Sequence, residues 1–176
     1  MKRIIAAICV LGFIACLVWL WRLSDAHASV VVPADSDLLF RVVCAECLSC
    51  PASERVAIAH VAVNRAKRPS WWGKGLRSVL LKPGQFAAPD NPYCERELPP
   101  PPTRADGRVG WSPVMVDRHQ RLVDETRAQV VLVLGGVSED PTGGATFFHA
   151  KRLGKLWPHL NEVDVPKVWL HRFYRD

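Results

Sequence analysis

Glu46 is the carboxylate in this sequence best placed to move a proton. It lies one helical turn beyond Val42 on an apolar stretch that also holds Leu38, Leu39 and Val43, and cysteines stand around it at 44, 47 and 50. A carboxyl group held partly out of water has its pKa raised, which suits a general acid near neutral pH; the plainer account is a surface glutamate that ends a helix. Other chemistries are less well represented. Neither a Gly-x-Ser-x-Gly nucleophile turn nor a His-Glu-x-x-His zinc motif occurs, and Gly143-Gly144 lacks the lysine of a phosphate-binding loop. Cys50 or Cys94 meeting His60 or His149 would make a cysteine nucleophile, an alternative that competes directly with disulfide formation. His60, inside an apolar run, reads as a core histidine with a hydrogen-bond partner.

Six cysteines divide into Cys9 and Cys16 near the start and Cys44, Cys47, Cys50 and Cys94 in the body. Four in an exported body point to disulfides, with three pairings open if all join. The close spacing of Cys44, Cys47 and Cys50 leaves zinc as the rival, but export favours disulfides, and no metal or other cofactor is expected.

The elements that must position these groups are mainly helical. A helix is expected from near Leu38, with Asp35 or Asp37 as its cap, and Ser49-Cys50-Pro51 breaks it. The next is expected from about Ser53 to Lys67; Val56 to Val63 make it apolar nearly all round, so it should be buried. Trp71, Trp72, Leu76, Val79 and Leu80 suggest a short third helix. Residues 87 to 113, rich in proline, read as a long loop around the body or a rim of a cleft. A fourth helix is expected from Pro113 to Leu134, stopped by Gly135-Gly136. Asp140 to Gly144 signals a turn, Ala145 to His149 a short strand, and Trp169 to Tyr174 should pack back on the body. Phe86, Phe147, Phe148 and Tyr174 could line a groove or fill the core.

Residues 1–28 read as a leader. Lys2 and Arg3 precede 18 uncharged residues, Ile4 to Trp21, and Ala26-His27-Ala28 follows. That pattern describes a secretion signal, while the length also reaches that of a membrane anchor. Either reading puts the remainder in the periplasm or outside the cell, anchored in the second case to the cytoplasmic membrane. Residues 29–37 are expected to be a tether, and 38–176 to form one domain. The formal net charge is +6, and the leader holds three of the 23 basic and one of the 17 acidic groups, which leaves the body at +4. No Lys/Arg block is dense enough for a nucleic-acid patch.

Four motifs carry a resemblance. They are Ala45-Glu46 through Cys50 followed by a helix ending in Asn64-Arg65; Pro83-Gly84-Gln85-Phe86; Asp140-Pro141-Thr142-Gly143-Gly144-Ala145-Thr146 leading into Phe147-Phe148-His149; and His171-Arg172-Phe173-Tyr174. In this order the chain resembles the cell-wall hydrolases of the spore-cortex-lytic type, which also occur among bacteriophage lysis proteins. The resemblance implies a mainly α (α+β), lysozyme-like domain with a small β element beside a glycan cleft, and peptidoglycan as partner. It implies Glu46 as the catalytic acid, with Gln85, Phe86, Thr142, Phe147, Phe148 and His149 as residues that bind substrate or shape its site. The reaction expected is cleavage between N-acetylmuramic acid and N-acetylglucosamine, by a lytic transglycosylase or a muramidase. A single acid leans toward the anhydro-forming route, since an inverting hydrolase needs a second carboxylate. Cys50 and Leu48-Ser49 depart from the pattern: the family carries a second glutamate where Cys50 stands, with Glu54 and Asp140 as the nearest substitutes. A peptidoglycan-binding module without catalysis and a cysteine-dependent wall peptidase or amidase are the alternatives.

Overall fold

The computed structural model describes residues 33–87, 89–99 and 110–176. The leader, with its signal or anchor reading, lies outside them; among the described residues no helix is long and apolar enough to cross a membrane.

Among the described residues, four helices and one small sheet make up the body. Helix α1, Pro33–Cys47, begins inside the stretch expected as a tether. Asp35 falls in its first turn, and Asp37 is not a cap: its carboxylate bonds Arg41 at 2.8 Å and Arg127 at 3.0 Å. Leu39, Val42 and Val43 are fully buried, and Glu46 continues that stripe at helical spacing. This is the local reason a carboxyl group is drawn out of water.

Helix α2, Ala52–Lys67, is the central scaffold, and Ala57, Ile58, Val61 and Ala62 are inaccessible. A fully buried Ile or Val side chain stabilises by about 1.5–3 kcal/mol. Helix α3 is only Leu76–Leu80. The tryptophans expected to begin it stand outside, because Gly73 and Gly75 adopt φ of 122° and 80°, values that interrupt a helix; Trp72 is buried and Trp71 exposed. Helix α4, Pro113–Leu134, starts where Ser112 accepts a bond from the Met115 amide and ends at Gly135, as expected. It packs against α1 and α2.

The sheet is antiparallel, in the order β1 (Phe147–Ala150), β3 (His171–Arg175), β2 (Asn161–Val163). Phe148 pairs with Phe173, and Ala150 with His171. The expected strand thus starts two residues later and includes Ala150. The aromatic tail does return to the body, as the central strand β3.

Two disulfides close the body, Cys44–Cys94 and Cys47–Cys50. The first joins α1 to a 3-10 turn at Pro92–Cys94 inside the proline-rich stretch; the second spans the break between α1 and α2. Arg55, 2% exposed, donates to the carbonyls of Leu48 and Cys50 and pairs with Glu125 of α4.

Candidate active site around Glu46

The break after α1 is pinned on both flanks of Glu46. Cys44 is tied to the 92–94 turn, Cys47 to Cys50, and the buried guanidinium of Arg55 holds the turn between them. Glu46 itself is half-buried. Its Oε1 accepts a 2.6 Å bond from the Ala87 amide. Burial raises the pKa of this carboxyl group above its ordinary 4.5, against smaller opposing effects from the Ala87 bond and from the neighbouring His171 and Arg65.

Ala87 is held in place by a chain of contacts that begins on α2. Arg65, 5% exposed, donates Nε to the Thr146 carbonyl at 2.7 Å and Nη1 to Gln85 Oε1 at 3.1 Å. Its guanidinium lies over the Phe86 ring, 4.8 Å from the centroid, a cation–π contact. Burial lowers the Arg65 pKa to about 10, with Glu46 opposing that fall. So Gln85 and Phe86, expected beside the substrate, fix the loop that presents the Ala87 amide to Glu46.

The Asp140–Thr146 turn is latched from the same helix. Asn64 donates to Asp140 Oδ2 and to the Ala145 carbonyl. Asp140 accepts from the amides of Thr142 and Gly144 and from the Thr142 hydroxyl. Gly143 and Gly144 have φ of 55° and 90°, left-handed values that turn the Gly144 amide back toward Asp140. Burial pushes the Asp140 carboxyl up, but these hydrogen bonds outweigh it and the net shift is downward. Thr142 is fully buried with its hydroxyl bonded inside the turn, so it shapes the wall and does not face the cleft. His60 is the core histidine expected, near Ser138 Oγ at 3.5 Å, and burial lowers its pKa.

The aromatic segment divides by strand alternation. Phe148 packs against Phe86, Phe173 and His171, on the side of Glu46. Phe147 and His149 pack on Trp157, with Trp72 and Tyr174 completing that cluster. His149, 7% exposed, bonds the Tyr174 hydroxyl through Nε2 at 3.0 Å. The sequence therefore grouped three residues that the sheet assigns to opposite faces.

Two cavities meet at Glu46 and Leu170. One, of about 580 Å³, runs along the α1 end beneath Tyr93, Trp111, Met115 and Arg118; the other, of about 490 Å³, lies between Glu46, Lys151, Arg152, Trp169 and His171. Together they form a groove in which Glu46 lines both parts and each part carries cationic groups. Trp169, 69% exposed, and Leu170, 51% exposed, stand at its rim.

His171 and Glu54 are the site residues the sequence did not single out as a pair. Glu54 is completely buried, and its Oε1 lies 2.8 Å from His171 Nδ1. Cys50 Sγ sits within 4.8 Å of both, a grouping with metal-ligand chemistry. The donor set does not fit an ion, however: Cys50 is bonded to Cys47, and the Glu54 oxygens already accept four N–H bonds.

Neither a curated protein nor a solved structure matches the chain. The family model for the cell wall hydrolases does match, over residues 50–174, a stretch that starts just past Glu46 and takes in the Arg65 anchor, the Asp140 turn and all three strands. That match spans well over half of the sequence, and the chain belongs to the cell wall hydrolase family, enzymes that act on the cell wall.

Proposed function

We propose that the protein cleaves the glycan strand of peptidoglycan at the β-1,4 bond between N-acetylmuramic acid and N-acetylglucosamine, with Glu46 as the general acid. The observation that carries this reading is the position of Glu46: a carboxyl group with a raised pKa at the junction of two cavities. A glycan strand lying along both cavities sets its scissile oxygen against Glu46. Ala87 occupies Oε1, so the transferable proton resides on Oε2. It passes to the bridging oxygen as the C1–O bond breaks, and positive character develops on the sugar. The cationic groups Arg118, Lys151 and Arg152 along the groove suit the carboxylates that wall peptides carry.

The body cysteines are paired, which leaves a cysteine peptidase without a thiol among the described residues. A wall-binding module without catalysis needs the groove and not the acid, and E46Q separates the two readings. Digestion of purified wall by the wild type and by E46Q, followed by mass spectrometry of the fragments, should show release by the wild type and a loss of about 10²–10⁴-fold in the variant. Equal release by both proteins would remove Glu46 from the mechanism, and binding without release by either would leave a binding module.

A further inference from the structure

Among the described residues Glu54 is a carboxylate with no access to water, and everything it bonds belongs to one short segment. Oε2 accepts from the Trp169 amide at 2.7 Å, and Oε1 accepts from the amides of Leu170 and His171 at 2.9 and 2.8 Å. Three backbone donors are enough to pin the start of β3. The fourth bond, 2.8 Å to His171 Nδ1, does something else. A carboxylate can only accept, so Nδ1 carries the hydrogen, and in the neutral ring Nε2 holds the lone pair. No described residue hydrogen-bonds Nε2. His171 shares the 490 Å³ cavity with Glu46.

We infer that His171 is the base of the same cleft, that Glu54 is its positioning residue, and that the bond is broken by water. This rests on Glu46 as the acid. Glu46 gives its proton to the bridging oxygen as the C1–O bond breaks. The water oxygen forms the new bond to C1, and the proton it sheds goes to His171 Nε2. The Glu54 carboxylate stabilises the imidazolium through Nδ1–H, an arrangement in which a buried acid orients a histidine. Solvent then carries the proton from His171 back to Glu46. The muramic acid leaves with a free C1 hydroxyl, a reducing end. A carboxylate kept out of water beside an imidazole is costly when its only work is to hold backbone, and such pairs gather at sites of proton transfer.

The charges around His171 come from each neighbouring element: Glu54 on α2, Glu46 on α1, Lys151 and Arg152 after β1, Glu162 and Asp164 on and after β2, and Arg172 beside it.

The experiment compares the full-length wild type with H171Q, E54Q and E46Q on purified wall in 18O water, with thermal unfolding to establish that each variant is folded. The wild type should yield reducing muramic ends carrying one 18O at C1. H171Q should lose about 10²–10⁴-fold in kcat with KM within about threefold, and should lose the acid limb of the pH profile. E54Q should lower kcat in the same direction with KM little changed, because the imidazole has lost the carboxylate that orients it. Anhydro-muramic ends from the wild type, or a folded H171Q with wild-type kcat and an unshifted acid limb, would overturn the inference while leaving Glu46 as the acid. An active E46Q would instead overturn the parent reading. If E54Q does not fold, H171Q and the isotope decide alone.

Discussion

At the scale of single residues, Glu46 pairs a functional advantage with a stability cost. Its pKa is raised by burial, so folding favours the protonated form, and ionisation at neutral pH works against the fold. The sign follows from proton counting. Below the ordinary value of 4.5 the group is protonated in folded and unfolded chains alike and costs nothing. As pH rises through the raised native pKa, the unfolded chain ionises more readily and stability is lost. E46Q removes the titration while keeping an acceptor for the Ala87 amide. It should therefore unfold at a higher temperature than the wild type at pH 7, and the gap should close as pH falls below 4.5, as calorimetry across that range would record. A gap that persisted at low pH would point to packing instead of charge.

At the scale of elements, the end of α2 and the two disulfides hold the cleft together. Asn64 and Arg65 sit side by side on the last turn of α2; Asn64 holds the Asp140 turn, and Arg65 joins the end of that turn at Thr146 to the Gln85–Ala87 loop. D140A leaves several donors without a partner and should cost about 2–4 kcal/mol, since each stranded buried donor costs about 1–3 kcal/mol; chemical denaturation would measure it. The two disulfides should differ. Cys44–Cys94 closes a separation of 50 residues and Cys47–Cys50 one of 3, which by chain entropy corresponds to about 4 and about 2 kcal/mol. The C44S/C94S pair should thus lower the unfolding free energy more than C47S/C50S. The smaller bridge should matter more for activity, because it fixes the turn directly after Glu46.

Across the molecule, the groove carries cationic side chains in both of its cavities, Arg118 in one and Arg152 in the other. Charges of this kind draw an anionic polymer into place and are screened by salt. The double reversal R118E/R152E should raise KM on purified wall by roughly tenfold with kcat little changed, and should flatten the dependence of KM on salt. A fall in kcat with KM constant would mean that these side chains orient the scissile bond instead of gathering substrate. The groove also explains the exposed Trp169 and Leu170 at its rim, apolar groups on which a sugar face can rest.

Much of this was legible in the residues. Helix α4 was legible from Pro113 to its stop at Gly135-Gly136, because such signals are local chemistry; its Ser112 cap came with the structure. The stripe Leu39, Val42, Val43 and Glu46 was equally local, since helical spacing alone puts a carboxyl group on a buried face. The four motifs, taken in order, also carried the resemblance to the family. What the order of residues could not supply is which distant groups meet. The choice among three cysteine pairings, the separation of Phe148 from Phe147 and His149, and the bond from Glu54 to His171, 117 positions later, depend on strand register and on how β3 returns to α2. Glu54 was legible as a possible stand-in for the glutamate replaced by Cys50. Its partner was not, because local sequence governs secondary structure and caps while long-range contact is decided by packing.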